Sequence, residues 1–231
     1  MAHVRRPTVR DGLMSVFPPH ILQETLPMKL YQLPGSCSDA SAIVLAEAGI
    51  LVDLLTVDLR EKTLADGSSF LAVNPKGQVP ALVLDTGDVL TEGAVILQYL
   101  ADQAPQTGLL PPHTDLCRYR VLEWLNYIAT ELHKTFSPLN RPNTPPDFRD
   151  LTKTALLPRV FGVLDRRLGE SAYLAGDDFT IADAYAFVAL GWAGRQDIDL
   201  SSWPNISAYL ARVGSRPSVQ SVVARRTAAP A

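Results

Sequence analysis

Several short stretches of this chain hold residues whose type and placing could do chemistry. Cys37 lies in "PGSCSD", which follows the apolar run "KLYQL" and precedes the helical run "ASAIVLAEAG". At such a strand-to-helix turn, free backbone N–H groups and the helix dipole favour a thiolate, with Ser36 or Ser38 able to cap. Asp39 partly opposes that charge. The competing reading is a small apolar side chain tucked into a core, and position alone does not separate the two. In "QVPAL", Pro80 enters a strand to which it cannot donate a hydrogen bond, so it belongs at an edge or an entry. A cis Val79–Pro80 bond would leave the Val79 N–H and C=O to pair with an extended peptide. A trans bond would make Pro80 a plain strand entry.

Glu92 and Gly93, in "LTEG", fall where a hairpin ends and a helix begins. Backbone N–H groups there can hold a carboxylate while the Glu92 side chain receives an ammonium; alternatively Glu92 only complements the helix dipole. In the helical run from 115 to 134, Val121, Leu125, Ile128 and Leu132 form an apolar stripe, and Glu123, Asn126, Thr130 and His133 a polar one. The polar stripe either faces water or lines a cleft, where His133 would offer a hydrogen bond or a positive charge to a thiolate.

These residues need elements to position them. "KLYQL" reads as a strand, 38–49 as a helix ending at Gly49, and "LVDLLTVDL" as a second strand. A polar loop and the short segment "SSFLAV" follow. Next come a hairpin turning at Thr86-Gly87-Asp88 and a helix stopping at Pro105. "QTGLLPPHTD" has a linker's composition, and beyond it every periodic run is helical: 115–134, 148–169, "TIADAYAFVALGWAG" and two shorter stretches. The expected domains are therefore an α/β unit over 28–105, a linker at 106–114 and an all-helical unit over 115–231. Residues 1–27 form an extension, or a start before the natural Met28. Within the helical unit, Thr180 and Asp183 match a capping box, with Phe179 as its hydrophobic staple.

The bulk composition excludes other classes. A formal charge of -3 with scattered Lys and Arg offers no basic patch for nucleic acid. No apolar run approaches the roughly 20 residues that span a bilayer, so no membrane insertion is expected. Two cysteines in dissimilar settings, Cys37 and Cys117, are expected to be reduced, in a cytoplasmic protein. No Cys or His spacing suits a metal, and phosphate-binding glycine loops and nucleophile elbows are absent from the sequence.

The order of elements, with Cys at a first helical turn and "VP" before the third long strand, resembles a thioredoxin-like domain. With "KLYQLPGSCS", "NPKGQVPAL", "LTEGAVILQYLAD", "EWLNYIATELHK" and "FTIADAYAF" in sequence across 28 to about 220, the chain resembles the soluble glutathione transferases, most closely the bacterial beta class. The resemblance implies a thioredoxin-like domain (βαβ-α-ββα, with a cis proline) followed by a helical substrate-binding domain. It also implies conjugation of glutathione, as co-substrate, to electrophiles.

Residue by residue, the resemblance implies that Cys37 contacts the glutathione sulfur and can form a mixed disulfide with it. Val79, before cis Pro80, pairs with the cysteinyl unit; Glu92 takes the γ-glutamyl amine and Gly93 its carboxylate. Lys62 reaches the glycine carboxylate, His133 stands near the thiol, and Asn126 approaches from the partner subunit of a homodimer. Gly93 replaces a Ser common in the wider superfamily. Tyr31 falls one residue before the usual catalytic tyrosine, where Gln32 stands, leaving Ser36 and Ser38 as stand-ins. Exchange with disulfide substrates or peroxide reduction through Cys37 is equally compatible. A glutathione-dependent dehalogenase or lyase, or a non-catalytic ligand-binding member, are the alternatives.

Overall fold

The computed structural model describes residues 28–228; the expected extension at 1–27 lies outside the described residues. Strand β1 (Lys29–Gln32) runs at the centre of a sheet, with Leu30 and Tyr31 putting an apolar side chain on each face and three of its four residues buried. It pairs in parallel with β2 (Asp53–Asp58) and antiparallel with β4 (Ala81–Val83). With β3 (Thr63–Leu64) and β5 (Val89–Thr91) at the edges, the order is β3-β2-β1-β4-β5. The parallel crossover from β1 to β2 is α1 (Asp39–Ala48), closed by Gly49 in the left-handed region at φ 67°. Between β2 and β4 the expected helix shrinks to β3 and a single 3₁₀ turn, Phe70–Ala72, whose Phe70 fills the space beneath Tyr31. Only one residue of "SSFLAV" is buried there, too little apolar surface to support a longer helix.

After β5 comes α2 (Gly93–Asp102), then a 3₁₀ turn at Pro105–Thr107. The segment read as a linker is fastened down: Leu109 and Leu110 are buried, and the Ile181 N–H donates to the Leu109 carbonyl. The helical unit contains α3 (Leu116–Tyr127), α4 (Lys134–Phe136), α5 (Pro146–Leu151), α6 (Leu157–Glu170), α7 (Ile181–Leu190), α8 (Trp192–Arg195), α9 (Pro204–Gly214) and α10 (Pro217–Ala228). One apolar cluster runs from Leu30 and α1 through α2 to α7 and α10, so the two units share a core. The Arg216–Glu47 pair, with both guanidinium contacts at 2.7–2.8 Å, ties the start of α10 to α1.

Two long helices of the sequence reading are each interrupted by a wide turn. The turn before α6 spans Thr152–Leu156 and relieves Pro158, which has no N–H to give and whose ring would collide with the preceding turn of a regular helix. The other spans Ile128–His133 and separates α3 from α4. An extra residue per turn rotates everything after it by about 100° relative to a regular helix. The polar stripe is therefore split: Glu123 and Asn126 face solvent, whereas Thr130 and His133 reach a cleft.

The capping box of Thr180 and Asp183 holds as read, and more tightly. Asp183 is 0% exposed and accepts from the Thr180 N–H and hydroxyl, the Leu174 N–H and the Tyr209 hydroxyl, all at 2.9–3.2 Å. Phe179 packs on the Tyr173 ring at 5.8 Å and lies beneath Arg216. Asp183→Ala strands several buried donors at once, and is expected to destabilise the protein by about 3 kcal/mol or more. Urea unfolding measures it; a loss under about 1 kcal/mol would show that these bonds are not jointly formed.

Candidate functional site

The loop between β1 and α1 is shaped by its own side chains. The Ser38 hydroxyl accepts from the Leu33 N–H at 3.0 Å and donates to the Leu33 carbonyl at 3.1 Å, and the Ser36 hydroxyl accepts from the Ser38 N–H. Neither serine caps α1, contrary to the sequence expectation, because both hydroxyls are spent closing this loop. Asp39, 1% exposed, accepts from the Gly35 N–H at 2.9 Å and from Arg226 of α10 at 2.6 Å. On the opposite side, Trp192 and Arg195 of α8 both donate to the Gly35 carbonyl, at 3.2 and 2.6 Å. Gly35 sits at φ 85°, and a Cβ there would come within 3.0 Å of the Arg195 guanidinium. Glycine is thus required for both backbone angle and cation approach.

Cys37 follows, with its Sγ donating to the Val79 carbonyl at 3.3 Å. The Val79–Pro80 bond is cis. The Val79 carbonyl, expected to be unpaired, thus has the thiol as its partner; the Val79 N–H has none among the described residues. The expectation of a stabilised thiolate is reversed. Burial pushes the Cys37 thiol up to about 11, with nearby Asp39 adding to the rise against the lowering effect of Ser36 and local backbone groups. At neutral pH it is a thiol and a hydrogen-bond donor.

His133 shares a 2.6 Å hydrogen bond with the Tyr185 hydroxyl and packs edge-on to Trp192 at 4.9 Å. Burial, assisted by the charge of Lys134, holds the imidazole down at about 4. It is neutral at physiological pH, so the positive charge foreseen for it is absent, and the hydrogen bond it makes is to Tyr185. The Tyr185 phenol is raised by burial and by neighbouring Cys37 and Glu92, which keeps it protonated.

Glu92 has φ 70°, a strained angle for a side-chain-bearing residue, and immediately precedes Gly93, the first residue of α2. Its carboxylate meets the Lys76 ammonium at 2.6 Å. Both partners are more than half exposed, so this pair is worth about 1 kcal/mol or less and yields readily to another ammonium. Lys62, also left-handed at φ 59°, donates to the Gly77 carbonyl at 2.7 Å. Gly77 sits at φ 63°, and a Cβ there would come within 3.0 Å of the Leu71 side chain, so the turn that offers this carbonyl asks for glycine.

Two joined clefts gather most of these groups. The larger, about 610 Å³, reaches Ser36, Cys37, Lys62, Val79 and His133. The smaller, about 230 Å³, shares Cys37, Val79 and His133 and adds Pro80, Glu92 and Gly93. Of the residues to which the resemblance gives a contact with glutathione, Asn126 alone lines neither. Tyr31 is buried against Phe70, away from both. The sequence reading missed Tyr185, Trp192 and Arg195. Tyr185 was hidden inside a segment read as a structural cap, and the other two are brought to the site only by tertiary packing. "GWAGR" in a helical unit was the sole signal.

A central-stranded sheet joined to a helical unit, with a cysteine in the turn just before the first helix, not in the helix as expected, facing the carbonyl that precedes a cis proline, defines a two-domain thioredoxin-like protein. Residues 35–103 match the glutathione S-transferase N-terminal domain and residues 127–217 the glutathione S-transferase C-terminal domain. The chain is 48% identical over 193 residues to glutathione S-transferase GstA of Escherichia coli O157:H7, covering 84% of this chain and 96% of that protein. Among solved structures it is similar to the beta class glutathione S-transferase of Sphingomonas chungbukensis, with TM-score 0.82, 41% identity and coverage of 86% and 98%. A sphingomonad glutathione S-transferase solved with glutathione aligns at TM-score 0.83 and 38% identity, over 87% of this chain and all of that one. The chain belongs to the glutathione S-transferase family.

The pH behaviour of Cys37 follows from its burial. With the thiol at about 11, alkylation of Cys37 by iodoacetamide in the ligand-free protein should be slow at neutral pH and rise about tenfold per pH unit up to pH 10. A Cys117→Ser background removes the second thiol. A rate levelling off below pH 8 would contradict the buried, neutral state.

Proposed function

We propose that the protein binds glutathione across the two joined clefts and transfers its thiol to an electrophilic carbon. The observation that carries this is the convergence of Cys37, the Val79 backbone, Lys62 and the Glu92–Gly93 turn from distant parts of the chain on one continuous space. Glu92 takes the γ-glutamyl ammonium in exchange for Lys76, and the Gly93 N–H at the start of α2 takes the adjoining carboxylate. The Val79 N–H and C=O pair with the cysteinyl unit, past Pro80, and Lys62 reaches the glycine carboxylate. The Cys37 S–H then turns from the Val79 carbonyl to the glutathione sulfur. This frees the carbonyl for a peptide N–H and gives the developing thiolate a donor, with Ser36 close by and neutral His133 near the sulfur. In the reaction the glutathione thiol loses its proton to solvent, its sulfur bonds to the electrophilic carbon, and the leaving group departs with the bonding electrons.

A beta-class, cytoplasmic, metal-independent detoxifying enzyme is the form of this reading that the resemblance supports. Homodimer formation fits the exposed Val89, Val95, Leu116 and Tyr119, and Asn126, exposed on α3, would reach the partner's ligand. Small electrophiles or disulfides, not nucleic acid or membrane, are its proposed partners. No helix among the described residues is long and apolar enough to cross a membrane.

Cys37 favours a second activity, exchange with oxidised glutathione. Its thiolate attacks one sulfur of the disulfide, the old S–S bond breaks, and a glutathione thiolate leaves and picks up a proton. With the thiol at about 11, only about one protein in ten thousand carries that thiolate at neutral pH, so conjugation dominates there. Cys37→Ala should abolish mixed-disulfide formation and lower conjugation of chlorodinitrobenzene by less than about tenfold, as befits the loss of one donor. Turnover and adduct assays on the same preparation test this. Equal collapse of both activities, with glutathione-affinity retention intact, would contradict the division; no retention and no turnover by the parent protein would overturn the transferase reading itself.

A further inference from the structure

The larger cleft has a wall that glutathione's assigned contacts do not use. Lys134, Asn140, Arg141, Arg195 and Gln196 line it, and of these only Lys134 also lines the smaller cleft. Together with Lys62, the lining carries four cationic side chains and no carboxylate. This is a local reversal, because the whole chain carries a formal charge of -3. The Lys134 ammonium and the Arg141 guanidinium have no hydrogen-bond or ion-pair partner among the described residues. Arg195 gives one N–H group to the Gly35 carbonyl and feels the Asp39 carboxylate, which is itself buried and held by Arg226. Lys134 makes its charge felt inside the site, since it helps keep His133 unprotonated. Neighbouring neutral groups are polar and already oriented: the Gln196 amide donates to Asn140 at 3.0 Å.

Bound glutathione brings two carboxylates and one ammonium; Glu92, Gly93 and Lys62 satisfy these, leaving Lys134, Arg141 and Arg195 in surplus. Exposed cations gathered along a concave wall favour an anion and disfavour a neutral molecule of the same shape. We propose that the co-substrate of this protein carries a carboxylate beside its electrophilic carbon, held by Arg141 and Lys134 in the outer part of the larger cleft. The inference rests on the transferase reading and names the class of molecule that the outer cleft selects.

The test uses a matched pair, a chlorodinitrobenzoate and the corresponding amide, with the purified full-length protein and glutathione. In both, the glutathione sulfur forms the new S–C bond, the C–Cl bond breaks, chloride leaves, and the thiol proton passes to solvent. Each kcat/KM is divided by the uncatalysed rate constant under the same conditions, which removes the difference in intrinsic reactivity. At low salt the acid should be favoured about tenfold, and the ratio should shrink severalfold in about 0.5 M sodium chloride. Arg141→Gln should carry the ratio toward one by raising KM for the acid, and Arg141→Lys should restore part of it. Turnover of the amide with a wild-type ratio at or below one overturns the carboxylate inference alone, as does a ratio unmoved by Arg141→Gln. Turnover of neither compound overturns the transferase reading and the inference with it.

Discussion

The burial of the Asp39 carboxylate is the constraint on which the rest of the site depends. A charge with 1% exposure is tolerable only if paired, and its partners are the Gly35 N–H from its own domain and Arg226 from the last helix of the other. Burial raises its pKa while Arg226 and the Gly35 N–H pull it back, so the ion pair and the loop geometry sustain each other. Trp192 and Arg195 grip the same glycine through its carbonyl. The Cys37 loop is thus held between two domains, and neither domain alone contains the whole site.

That arrangement sets an unusual electrostatic balance. The two groups that sequence position marks as reactive, Cys37 and His133, are both neutral at physiological pH, because burial, reinforced by the charges of Asp39 and Lys134, disfavours their ionised forms. The charges sit instead on Glu92, Lys62 and the exposed cations that line the clefts, where solvent tempers their cost. In the proposed reading, such a site would grip a zwitterionic peptide by its charged ends and leave the stabilisation of its thiolate to neutral donors between them.

Much of the fold was legible in the sequence because local signals and tertiary packing agree. Gly49 ends α1 where its left-handed angle requires, the Thr86-Gly87-Asp88 turn closes its hairpin, and Thr180 and Asp183 cap α7. The illegible parts arise where one element answers to another. The wide turn at Ile128–His133 split the polar stripe, and nothing in the periodicity of 115–134 announces an extra residue in that turn. Cys37 was read with its helix dipole but without the burial that outweighs it, since burial is contributed by residues far along the chain. Trp192, Arg195 and Arg226 escaped notice for the same reason: their contacts to Gly35 and Asp39 span about 160 to 190 residues.

The account stands on Cys37 being the protein's partner for the sulfur of glutathione. Mass spectrometry of the protein after incubation with oxidised glutathione at mildly alkaline pH, followed by peptide mapping, addresses this most directly. The account predicts a single adduct of about one glutathione mass on Cys37, formed faster as pH rises. Modification of exposed Cys117 with Cys37 left untouched would contradict it.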